Sequence, residues 1–177
     1  MITRSSHVVL VGGMAVGKTT VGRRVAVRLG RPLRDSDIDL EVGRGTSGRE
    51  LAERDGTAAL HRWESDHLLG ALASPEPVVV AAAASVVDDD RCLRALAAPF
   101  VAWLRAPPRT VVARLSGDEQ RRRLGADPAA AVGGLAARRA PRYALVANVT
   151  IDVAQLSPEA AAGIIVDALV SACDGVP

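Results

Sequence analysis

The stretch Gly12-Gly13-Met14-Ala15-Val16-Gly17-Lys18-Thr19 constrains this chain more than any other. It fits G-x-x-x-x-G-K-[ST], and its flanks are the ones that pattern requires. Before it, Val8 to Val11 read as a short buried strand; after it, an amphipathic run from Thr20 opens a helix. Gly12 and Gly17 permit backbone dihedrals that a side chain forbids, so successive N–H groups can turn inward around a phosphate. The helix N-terminus adds partial positive charge at the same point. Lys18 is expected to reach the β- and γ-phosphates of a nucleoside triphosphate, and the Thr19 hydroxyl to take a place on Mg2+. The nucleotide contacts are thus expected from Gly12, Gly13, Met14, Ala15, Val16, Gly17, Lys18, Thr19 and Thr20.

Composition strengthens this reading at one position. Of the 22 basic residues, Lys18 is the single lysine and the rest are arginine. A slim ammonium slips between phosphate oxygens where a planar guanidinium does not fit. Elsewhere composition mainly excludes. A net charge of +2, with arginine clusters offset by nearby acids, gives no footprint for nucleic acid. The longest apolar run, Val78 to Val87, is far short of a membrane span. Cys92 and Cys173 are far apart and form no C-x-x-C; with no targeting segment at the N-terminus, they read as reduced thiols of a cytoplasmic protein. A monomer with a small-molecule partner, and neither a nucleic acid nor a membrane, is expected.

Along the chain, Leu33-Arg34 lead into Asp35-Ser36-Asp37, a short second strand ending in two acids. A short helix, a second over Arg49 to Arg54 and a third over Ala58 to Leu72 follow, punctuated by Gly43, Gly45, Gly48 and Gly56. Val78 to Ala82 is apolar on both faces and reads as a central strand. Asp88 to Ala97 reads as a helix with an acidic first turn, Phe100 to Leu104 as a fourth strand, and Pro107 to Leu115 as a helix started by proline. Residues 116–127 are polar and carry Arg121-Arg122-Arg123, the pattern of a mobile flap. Ala129 to Ala147 is helical with a break or kink at Pro141. Val149 to Asp152 is the fifth strand, and Ser157-Pro158-Glu159 starts the last helix. Strands alternating with helices over 177 residues predict a single doubly wound α/β domain, with its ligands at the carboxyl ends of the strands.

The residues at those ends resemble the shikimate kinase family. The glycine loop followed by Thr20-Val21-Gly22 is similar to that family's opening, and Asp35-Ser36-Asp37 with Glu41 resembles its D-[ST]-D-x-x-x-E signature. Gly56 and Glu64 stand where the family has G-E-x-x-F-R-x-x-E, and Arg139-Ala140-Pro141-Arg142-Tyr143 resembles its R-x-P-x-Y segment. The resemblance implies a single-domain P-loop kinase with a five-stranded parallel sheet in the order 2-3-1-4-5, flanked by helices and carrying a mobile lid at about 116–127. It implies ATP and Mg2+ as cofactors, with Thr19 and Asp35 on the metal. Asp37 would bind the acceptor hydroxyl and act as general base. Arg114 would flank the adenine, Arg121 would act from the lid on the transferring phosphoryl group, and Arg139 would grip an acceptor carboxylate.

Two departures from the family pattern bear on the acceptor side, and a third puts Arg122 where the family has a proline after the lid arginine. Counting from Gly56 and Glu64 puts His61 where the family has a second carboxylate-binding arginine. The helical neighbour Arg62 points about 100° away. The family's three glycines after the third strand are Ala82-Ala83-Ala84, whose methyl groups are expected to fill part of the acceptor space and to forbid left-handed dihedrals. The function expected is transfer of the γ-phosphoryl group of ATP to a hydroxyl of a small molecule, shikimate first. A kinase for another polyol or cyclitol, and a non-catalytic ATP-binding module of the same fold, are the alternatives.

Overall fold

Val8–Val11 form strand β1, and all four side chains are fully buried because the strand is covered on both faces and paired on both edges. The computed structural model describes residues 2–115 and 124–174. In it, β1 pairs in parallel with β3 (Val79–Ala81) on one side and β4 (Phe100–Arg105) on the other. The strands β2 (Leu33–Asp35) and β5 (Val149–Asp152) complete a sheet in the order β2-β3-β1-β4-β5. The strand spacing of two splits the core accordingly. Val8 and Leu10 join a cluster with Val25, Ile165 and Leu169, whereas Val9 and Val11 join one with Leu68, Val80 and Cys92. Burying each such side chain stabilises the fold by roughly 1.5–3 kcal/mol.

The helices are α1 (Lys18–Leu29), α2 (Ser36–Arg44), α3 (Gly48–Asp55), α4 (Thr57–Leu72), α5 (Asp90–Ala95), α6 (Pro108–Arg114), α7 (Pro128–Val146) and α8 (Pro158–Asp174). Helix α1 begins two residues earlier than expected because Gly17, in a left-handed conformation, caps it directly after the loop. The helix expected over Asp88 to Ala97 is instead a 3-10 turn, Val86–Asp88, followed by α5. The division falls at Asp89, whose carboxylate accepts from Arg91 N and caps the second piece. Helix α7 runs through Pro141 without a break.

Chain order reverses at β1, whose two neighbours in the sheet are β3 and β4. The register pairs Leu10 with Ala81 and Asp35 with Ala81, so the carboxyl ends of β1, β2 and β3 lie level. That alignment brings the glycine loop, Asp35 and the alanines after β3 to one edge, the crevice in which an open α/β sheet binds its ligands. The flap residues 116–123, including Arg121, lie outside the described residues.

Candidate active site

The loop from Gly12 to Gly17 wraps the start of α1 with three residues at positive φ: Gly12 (143°), Ala15 (52°) and Gly17 (98°). Gly12 has a second reason to be glycine. A Cβ there would lie 2.2 Å from the carbonyl oxygen of Leu104. Gly12→Ala is therefore expected to cost more than about 2 kcal/mol, a fall of about 4–8 °C or more in Tm by thermal unfolding. Gly17→Ala meets no neighbouring atom and is expected to lose less.

Gly17 supplies no side-chain cap, so the first N–H groups of α1 stay open at the loop. Lys18 Nζ folds back and donates to the carbonyls of Gly12 (3.0 Å) and Gly13 (2.7 Å). Desolvation in this nest pulls the Lys18 ammonium down to about 8, against the pull of Asp37, Asp35 and Glu64 in the other direction.

Asp35 ends β2 and caps α2: its Oδ1 accepts from Asp37 N (3.1 Å) and Ile38 N (3.3 Å). Its Oδ2 is buried and finds no partner among the described residues. A buried unpaired carboxylate oxygen is costly unless a cation or donor completes it. Thr19 lines the same cavity, so the pair fits a hard divalent cation with oxygen ligands. Asp37 follows on the first turn of α2. Burial raises its carboxyl above the ordinary value, and the neighbouring charge of Asp35 adds to the effect while Lys18 opposes it.

These groups face a cavity of about 630 Å3 that also takes in Met14, Ala15, Gly17 and Thr20 from the loop and its helix. Val16 does not reach it; its side chain is buried in the core beside β1. Arg114 lies at the far end, donating to Val153 O at 2.9 Å and bordering a smaller pocket formed with Thr20 and Pro158. His61, Ala82, Ala83, Ala84 and Arg139 line the opposite end of the main cavity.

Ala82 and Ala83 are buried members of a core cluster and, with Ala84, also form part of the cavity wall. No alanine of the three has positive φ, so the segment needs no glycine. Arg62 points away from the cavity, as its helical phase requires, into a separate groove with Arg34 and Arg44. His67 also faces that side; its Nε2 meets Asp39 Oδ2 at 2.7 Å and its ring stacks on Trp63.

Three groups at the acceptor end were absent from the expected site. Glu64, visible in the sequence only as part of a motif, accepts a short hydrogen bond from Ser85 Oγ. Ser85 carries no sequence signal beyond its place after a strand, and Asp88, bound to Arg139, carries none. Burial raises the Glu64 carboxyl, with the Ser85 bond acting the other way. A raised folded-state pKa means that ionised Glu64 opposes folding at neutral pH, a penalty relieved as pH falls through that pKa. Glu64→Gln, which keeps an acceptor for Ser85, is expected to raise Tm at pH 7, by about 2–4 °C for each kcal/mol relieved. The gain disappears below the ordinary carboxylate range, and melting curves at several pH values check it.

A level row of strand ends, an amide nest around a lysine, and two carboxylates facing the nest define a P-loop kinase fold with a phosphoryl-transfer site. The shikimate kinase family model matches residues 14–170. Shikimate kinase from Symbiobacterium thermophilum is 35% identical over 148 residues, covering 82% of this chain and 85% of that protein. The enzyme from Thermobifida fusca is 33% identical over 166 residues, covering 94% and 96%. Shikimate kinase from Acinetobacter baumannii, solved in complex with shikimate, superposes with a TM-score of 0.86 at 29% identity, covering 95% of this chain and 94% of that one. The chain belongs to the shikimate kinase family, ATP-dependent kinases of small molecules.

Proposed function

We propose that this protein transfers the γ-phosphoryl group of ATP to a hydroxyl of shikimate. The observation that carries the reading is the single cavity shared by Lys18, Asp35, Asp37 and Arg139. Phosphoryl transfer asks a protein mainly for positioning and charge neutralisation. In this reading the loop amides and the N-terminus of α1 cradle the phosphates, and Arg114 borders the base. Lys18 exchanges its bonds to the Gly12 and Gly13 carbonyls for the phosphate oxygens. Thr19 and Asp35 would hold Mg2+, which would supply charge neutralisation to the phosphates when bound. Asp37 orients the acceptor hydroxyl and takes its proton; a carboxyl pushed upward by burial is a stronger base than an ordinary one. Arg139 grips the acceptor carboxylate, and His61 offers it a ring N–H from the other wall.

The family match supports shikimate as acceptor. Among the described residues the large exposed apolar side chains are scattered over separate helices, including Val27, Val42 and Leu145, which supports a monomer. No helix among them is long and apolar enough to cross a membrane. The free thiols Cys92 and Cys173 suit the cytoplasm. Steady-state ADP release with Mg·ATP, against shikimate and a panel of cyclitols and polyols, tests the reading. ADP release that depends on shikimate is expected; release with a carboxyl-free cyclitol and none with shikimate contradicts it.

A further inference from the structure

Helix α7 turns Arg139, Arg142 and Tyr143 toward the segment that follows β3, as the spacing i, i+3, i+4 allows. Tyr143 Oη donates to Ala84 O at 2.8 Å, and Arg142 Nη1 donates to Val87 O at 2.9 Å. Both contacts end on main-chain carbonyls, and Arg142 Nη1 also donates to Asp90 Oδ1 at 3.2 Å, an exposed pair outside the cavity lining. The contact of Arg139 is different. Arg139 donates from Nε (2.9 Å) and from Nη2 (2.6 Å) to one carboxylate oxygen, Oδ2, of Asp88. Arg139 lines the cavity, whereas Asp88 is outside its lining, on the solvated rim with about half its side chain exposed.

A guanidinium carries five N–H groups in one rigid plane. Asp88 occupies the Nε/Nη2 edge and leaves the Nη1/Nη2 edge, which can pair with a second carboxylate in the two-pronged manner. We propose that Asp88 is a positioning residue for the acceptor: it fixes the plane and direction of Arg139 so that the remaining edge presents a ready fork to the acceptor carboxylate. The inference rests on the shikimate reading above, since it needs a carboxylate-bearing acceptor. An untethered arginine surrenders rotamer freedom when it grips a ligand; one already held surrenders less, and the gain appears as acceptor affinity rather than rate. Exposure of Asp88 to solvent and salt screens its repulsion of the incoming carboxylate.

The test uses the whole chain with Mg·ATP and shikimate. Asp88→Ala is expected to raise KM for shikimate about 5- to 20-fold while kcat and KM for ATP stay within about twofold of the parent. Asp88→Asn, which keeps an oxygen but no charge, is expected to fall between. On an Arg139→Lys background, Asp88→Ala is expected to change KM no further, which separates action through Arg139 from a general structural effect. An unchanged or lowered KM in Asp88→Ala, or the same loss on the Arg139→Lys background, overturns the inference while leaving the shikimate reading intact. A parent protein that releases no ADP with shikimate overturns that reading, and the inference with it.

Discussion

Lys18→Met is expected to lower kcat/KM by about 1,000-fold or more, the scale on which preorganised donors to a developing charge act. The ammonium sits in the nest formed by the loop, within hydrogen-bonding reach of the Gly12 and Gly13 carbonyls, and no other lysine exists in the chain to replace it. Lys18→Arg is expected to fail as well, because a planar guanidinium needs more room and a different bond geometry. Neither loss should come from unfolding. Lys18 has a folded-state pKa of about 8, below its ordinary value of 10.5. Its charge therefore opposes folding in full below pH 8, and the penalty fades as pH rises from there toward the ordinary value. The methionine variant should keep or raise the parental Tm near neutrality. Assays of kcat/KM together with thermal melts at pH 7 check both halves of this expectation.

The second large effect is at Asp37. Asp37→Asn is expected to lower kcat about 100- to 10,000-fold, the usual contribution of a positioned general base, with the affinity for ATP kept within a few-fold. The amide preserves shape and the α2 turn but cannot take a proton. Asp37 also opposes folding when ionised, since burial and Asp35 raise its carboxyl. The variant should thus be no less stable than the parent at pH 7. Loss of rate with retained nucleotide binding, measured by calorimetry, separates the catalytic role from a contribution to the phosphate site.

The nucleotide end of the cavity is legible in the sequence because its constraints are local. Gly12, Gly17, Lys18 and Thr19 are set within eight residues by dihedrals, donor geometry and a helix start. Asp35 and Asp37 follow from their spacing after a strand, and the sheet register then brings them to the loop. The acceptor end is less legible because its contacts join residues far apart in the chain. Ser85 meets Glu64 across 21 positions, and Asp88 meets Arg139 across 51. No periodicity in either stretch announces such a pairing.

One misreading has a definite physical cause. Asp88-Asp89-Asp90 offers three successive residues able to cap a helix, and only the packed structure selects Asp89 as the cap of α5.

The most direct test is the identity of the product. Incubated with Mg·ATP and shikimate, the protein should yield one new phosphomonoester of shikimate, equimolar with ADP, by 31P NMR and mass spectrometry. ADP and inorganic phosphate appearing without phosphorylated shikimate, or no ADP despite tight ATP binding, contradicts a cavity built to join these two substrates.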